Sequence, residues 1–187
     1  MPHARRPVTI ATRLFAAIVL VAGSLSASAL ASGSGPSVQG WQTYRSTPGR
    51  FSVLMPCSPT TETKSTDTDL GPISMQMASC VTSNRFTSVI YYDVPSTVTK
   101  TAESLLADTA DAFMKGGGFV EKAGRQQITI DGHPGIEIIG ESADGQSIVQ
   151  ARYYLVRSRV YLVMVGTAAS EVAAPDIGSY FGSFKVN

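Results

Sequence analysis

An imidazole with a carboxylate two residues away is the smallest arrangement that could abstract a proton, and Asp131-Gly132-His133 supplies one. The residues around it give a simpler reading. Asp131, Gly132, Pro134 and Gly135 have the chemistry of a hairpin turn, and no nucleophile motif accompanies them. Gly116-Gly117-Gly118 has the composition of a phosphate-cradling loop, but such loops precede a helix, where free N–H groups point at the anion. This run follows a helical pattern and reads as its C-terminal cap. Glu137, Glu141 and Asp144 could furnish the paired carboxylates of a hydrolase, yet solvated strand faces and a turn account for all three. No G-x-S-x-G, H-E-x-x-H or Walker-type loop occurs. The sequence names no catalytic residue.

Arg152, Arg157 and Arg159 cluster with Tyr153, Tyr154 and Tyr161, and Arg and Tyr are enriched where proteins meet. Period-2 alternation puts Arg152 and Tyr154 on one strand face, with Tyr153 and Leu155 on the other. Arg152, Tyr154, Arg157 and Arg159 are therefore the candidate interaction surface. The competing reading is a core strand with one charged face and a solvated hairpin tip.

The elements that must position these residues start with an export signal. Arg5, Arg6 and Arg13 precede the apolar run Leu14–Ala22, and A-x-A sites follow at Ala27-Ser28-Ala29 and Ala29-Leu30-Ala31. Residues 1–31 read as a secretory signal peptide; the run is well short of the ~20 apolar residues of a membrane span. Residues 32–40 are a Ser/Gly-rich linker, and residues 41–187 form a single domain. The expected location is periplasmic or extracellular, with no stable membrane span once the signal is removed.

Three of the 15 basic residues lie in the signal, leaving 12 basic against 14 acidic side chains. A slightly acidic domain lacks the electrostatic footprint of a nucleic-acid binder. Cys57 and Cys80 are an even pair in an exported chain, which reads as a disulfide. A metal site would need more ligands, since His133 is the only histidine beyond the signal. No cofactor or metal is expected.

From Gln126 to Thr167 the pattern is a meander of four strands: Gln127–Ile130, Ile136–Ile139, Ser147–Val156 and Val160–Val165. Asp131–Gly135, Asp144-Gly145 and Arg157–Arg159 separate them, and connections this short force antiparallel neighbours. Val160–Val165 is apolar at odd and even positions alike, which predicts a central strand covered on both faces. Upstream, Arg50–Met55, Ile73–Ala78 and Phe86–Val94 read as strands, and the Thr-rich stretch Thr60–Asp69 reads as an exposed edge strand.

Ala102, Leu105, Leu106, Thr109, Ala110, Phe113 and Met114 share one helical face, with Thr99 or Thr101 as N-cap. A second helix starts near Ala174, with Pro175 in its first turn and Ile177, Tyr180 and Phe181 inward. The expected fold class is α+β: a central antiparallel meander with helices packed on it.

Trp41…Tyr44, Gly49-Arg50-Phe51-Ser52-Val53…Met55-Pro56, Asp131-Gly132-His133-Pro134-Gly135, Arg152-Tyr153-Tyr154-Leu155-Val156, Arg159-Val160-Tyr161 and Tyr180-Phe181…Ser183-Phe184 follow in that order. The chain resembles exported bacterial proteins of the PsbP/Mog-like α/β/α sandwich over most of its mature length. The resemblance implies a sheet between helical layers and an accessory or binding role. Members include factors that assist photosynthetic complexes and one that binds a small GTPase. It implies no shared catalytic motif. The expected function is an exported, non-enzymatic domain acting on a protein or envelope component. The alternatives are a hydrolase with an acidic site and a carrier of a lipid or small ligand.

Overall fold

Ten strands and two helices follow one another in the computed structural model, which describes residues 40–68 and 71–187. They are β1 (Gln42–Ser46), β2 (Phe51–Met55), β3 (Thr60–Thr68), β4 (Gly71–Val81), β5 (Arg85–Asp93), α1 (Ala102–Gly117), β6 (Phe119–Ile130), β7 (His133–Ser142), β8 (Ser147–Val156), β9 (Arg159–Ala168), α2 (Pro175–Ser183) and β10 (Lys185–Val186). The segments read as a signal peptide and a linker, residues 1–31 and 32–40, lie outside the described residues except for Gly40.

The strand that is apolar on both faces is the middle one. Seven strands form an antiparallel sheet in the order β3-β4-β5-β9-β8-β7-β6, and β9 has three neighbours on each side. Val160 and Leu162 enter the core beneath α1, while Tyr161, Val163 and Val165 enter the core on the opposite face. The four-strand meander is present as β6 to β9, each strand paired with the next.

The fold class needs correction. The protein is β-rich, with sheets of seven and three strands and two helices, and it is not a helix-packed α+β or α/β/α sandwich. One face of the large sheet does carry a helix, α1, which lies over β6, β7 and β8. The other face is covered by a second sheet of order β1-β2-β10, with α2 beside it. The reason lies in β2, whose Phe51, Val53 and Met55 are at most 1% exposed and all point into the second core. An alternating strand can cover a sheet as well as a helix can.

α1 has the predicted ends. The Thr101 hydroxyl accepts the Ser104 N–H at 3.2 Å, and Gly118 closes the helix with φ of 68°. Leu106, Ala110 and Phe113 are buried against the sheet, with Leu105 at the margin. α2 starts at Pro175, as its fixed φ favours.

Several strands outrun their expected bounds, β6 and β7 among them. The turn before β7 is only Asp131-Gly132, both at positive φ (47° and 77°), so His133 and Pro134 belong to β7. Pro134 is tolerated there because the β7–β8 ladder begins only at Gly135. β6 is much longer than Gln127–Ile130. Its N-terminal half is solvated and its register shifts at Ala123, so it carries no alternation to read.

Cys57 and Cys80 form a disulfide, with Cα atoms 5.9 Å apart. It ties the end of the β2 segment to β4 and so joins the two sheets.

Candidate functional site

The chemistry-bearing residues of the sequence do not converge. His133 is half-buried at the start of β7, and Asp131 stands exposed in the adjoining turn. Glu137 is paired with Arg152, and Glu141 with Lys122. Asp144 accepts the Ser142 hydroxyl at 2.6 Å and the Gln146 N–H at 3.1 Å, and these bonds hold its carboxyl below the usual range. Gly116 and Gly117 end α1, and no helix follows the run.

The Arg/Tyr group is divided between the two faces of the large sheet. Tyr153 lies under α1 beside Phe113, wholly buried, with its hydroxyl unpartnered and burial pushing its pKa well up. On the opposite face, Arg152 bonds Glu137 and sits 4.6 Å from the centre of the Phe181 ring. Tyr154 stacks on Phe184 at 5.9 Å, and only 5% of it is exposed. Arg159 grips both oxygens of Asp93, at 2.7 and 2.9 Å, and donates to the Pro48 carbonyl at 2.8 Å. Those bonds pull the Asp93 carboxyl down, with a smaller contribution from the Arg50 charge. Arg157 stands exposed at the β8–β9 turn with φ of 57°.

A concave site lies elsewhere, between the sheets. The small sheet packs over β5 and β9, with Phe51 edge-on to Tyr91 and Tyr161, and it stops short of β3. β1, the edge strand on that side, therefore has an unpaired edge above the exposed Thr61 and Thr63 of β3 and the half-buried Gln76 of β4. The space between is a cleft of about 240 Å³. Tyr44, Ser46 and Pro48 form its upper wall, and Thr61, Thr63, Gln76 and Ala78 form its floor. The floor is polar and ordered: Thr63 donates to the Gln76 carbonyl oxygen at 2.6 Å, and the Gln76 amide donates to Ser74 at 3.3 Å. Glu62 at the rim is held by Lys64 at 3.4 Å.

Cationic side chains are distributed unevenly around this cleft. Lys64, Arg85, Lys100, Lys122, Arg125, Arg152 and Arg159 each bind a carboxylate. Arg45, Arg50, Arg157, Lys185 and Lys115 have no ion pair among the described residues. Four of those five gather on the small sheet and the turns beside it. Arg45 and Lys185 both oppose Ser52, in one row across the three strands. The Arg159 bond to Pro48 brings the β8–β9 turn, with Arg157, against the turn that holds Arg50. Sequence reasoning missed the cleft because its walls come from segments whose separate readings, a Thr-rich edge and a short N-terminal strand, say nothing of their juxtaposition.

No protein-family model and no curated protein sequence matches the chain. The structure is similar to the solution structure of cyanobacterial PsbP (CyanoP) from Synechocystis sp. PCC 6803. The TM-score is 0.55 at 18% identity, over 84% of this chain and 99% of that one. A weaker likeness, with TM-score 0.42 and 12% identity, links it to PA94, a protein of unknown function from Pseudomonas aeruginosa. That match covers 75% of this chain and 91% of the other. The fold is PsbP-like.

Proposed function

We propose that the protein is an exported, non-enzymatic binding domain that acts as an accessory to a protein of the cell envelope, and that the cleft between its sheets is where it binds. The observation that carries this reading is the unpaired edge of β1 standing over the hydroxyl-lined floor of β3 and β4. An unpaired strand edge is a template for another chain. At about 240 Å³ the cleft is smaller than the ~300–1,000 Å³ usual for enclosed small ligands, which favours a partner lying along it over a carried molecule. The Cys57–Cys80 disulfide and the N-terminal segment support export.

A photo-crosslinking residue at Thr63, on the cleft floor, tests the reading in intact cells. It should yield a discrete protein adduct that the same residue at Glu103, on the exposed side of α1, does not. Equal labelling from both positions, or none from Thr63, would remove the cleft as a binding site. N-terminal sequencing of the exported protein should start near Ser32, and an intact Met1 would remove the export reading.

A further inference from the structure

We infer that the partner enters as an added strand on the free edge of β1, and that the segment it offers is extended and acidic. This rests on the reading of the cleft as the binding site and adds the chemistry of the occupant. A strand laid beside β1 would sit about 4.8 Å from it, over the part of the large sheet that the small sheet leaves uncovered. Its side chains would then alternate between two quite different surroundings.

Side chains turned inward would meet Thr61, Thr63 and Gln76 below and Tyr44 at the wall. A cleft of about 240 Å³ with hydroxyl and amide groups suits small polar or β-branched residues at those positions. Side chains turned outward would continue the row Arg45, Ser52, Lys185. Directly opposed side chains on neighbouring strands lie about 5 Å apart, so a carboxylate there would meet Arg45. Arg50 ends the turn from β1 into β2, at the end of the small sheet beyond Ser46. Its backbone is held in the left-handed region at φ of 53°, where its N–H bonds Thr47 at 3.3 Å and its carbonyl accepts from Asn187 at 2.8 Å. This bonded frame sets where the exposed Arg50 side chain projects.

Charge selects the partner. The strands of the small sheet contain Arg45 and Lys185 and no carboxylate, and cations elsewhere in the described residues are nearly all paired. A domain that is slightly acidic overall thus keeps four of the five cations without an ion pair among its described residues on the small sheet and the turns beside it, and Arg45 stands on the open edge strand itself. A membrane is the poorer match. The exposed large apolar side chains among the described residues are Val81 and Val120, neither of which is on this face, and so few charges hold a bilayer weakly without apolar insertion.

The test uses the mature protein and a fluorescein-labelled peptide of about eight residues, an ordinary strand length, alternating glutamate with threonine. A lysine–threonine peptide is the counterpart. The acidic peptide should bind at least about tenfold more tightly than the basic one, and less tightly as salt is raised. Arg45→Glu with Arg50→Glu should weaken it at least about tenfold, whereas Lys115→Glu on α1 should leave it within about twofold. Amide exchange in the complex should slow in Gln42–Ser46. Equal binding of both peptides, no binding of either, or protection on another face overturns the inference, as does capture by phosphatidylglycerol vesicles without peptide preference. If Thr63 still crosslinks a partner in cells while neither peptide binds, strand addition fails and the cleft remains the binding site. If Thr63 crosslinks nothing, the underlying reading fails.

Discussion

The Tyr180 hydroxyl on α2 donates to the Ser88 carbonyl on β5 at 2.8 Å, a buried bond that joins elements 92 residues apart. Ser88 in turn donates its hydroxyl to the Ala78 carbonyl on β4 at 3.2 Å, and the edge of Trp41 meets the Tyr180 ring at 6.2 Å. This one residue therefore connects α2, the large sheet and Trp41.

Tyr180→Phe keeps the ring and removes the donor. A buried carbonyl left without its partner costs about 1–3 kcal/mol, and urea denaturation should show a loss of that size. An unchanged midpoint would mean that α2 is held by the packing of Ile177 and Phe181 alone.

Stability should fall at alkaline pH. Burial raises the pKa of Tyr92, Tyr153, Tyr154, Tyr161 and Tyr180 above their ordinary value of 10.0. Below about 10 these phenols are neutral in both states, so pH has no effect through them. Above about 10 the unfolded chain releases protons that the folded chain retains, and the free energy of unfolding drops. Tyrosinate absorbance and loss of circular dichroism should then rise together. Ionisation of all seven tyrosines in a folded domain would overturn the prediction.

Leu106 is 1% exposed in the core beneath α1, and Leu106→Ala should cost about 2–5 kcal/mol in chemical denaturation. Asp108 pairs with Lys100 on the solvated side, and Asp108→Ala should stay within about 0.5 kcal/mol. Comparable losses from both would mean that the helix is held as much by its outer face as by its stripe.

Peptide mapping without reductant should recover Cys57 joined to Cys80. Replacing both by Ala should lower stability by about 3 kcal/mol, since the bond closes a loop of 23 residues. Free thiols in the folded protein would remove the covalent tie between the sheets.

Where a feature depends on neighbouring residues, the sequence was enough. Thr101 and Gly118 carry their capping chemistry within a few residues, so both ends of α1 were legible. Asp131-Gly132 marked its turn because both residues tolerate positive φ. Val160–Val165 announced the centre of the sheet because apolar residues on both faces can be satisfied nowhere else. The N-terminal half of β6 was illegible for the converse reason. A solvated edge strand selects for no pattern, and its structure comes from pairing with β7.

The covering of the second face was beyond local reading. Phe51, Val53 and Met55 showed a strand with one apolar side, but the pattern is silent on which surface that side meets. The cleft is of the same kind. The amino-acid sequence alone determined a β-meander centred on β9, a capped helix bearing one apolar stripe, and a cysteine pair suited to oxidation. Only the tertiary structure decided that a second sheet rather than a helical layer closes the other face, that Arg152 and Tyr154 turn onto α2 and Phe184, and that β1 overhangs β3 and β4. Local patterns record whether a side chain is buried, because burial of apolar area is roughly additive along the chain. They do not record against what, because contacts between distant segments depend on where the whole backbone brings them.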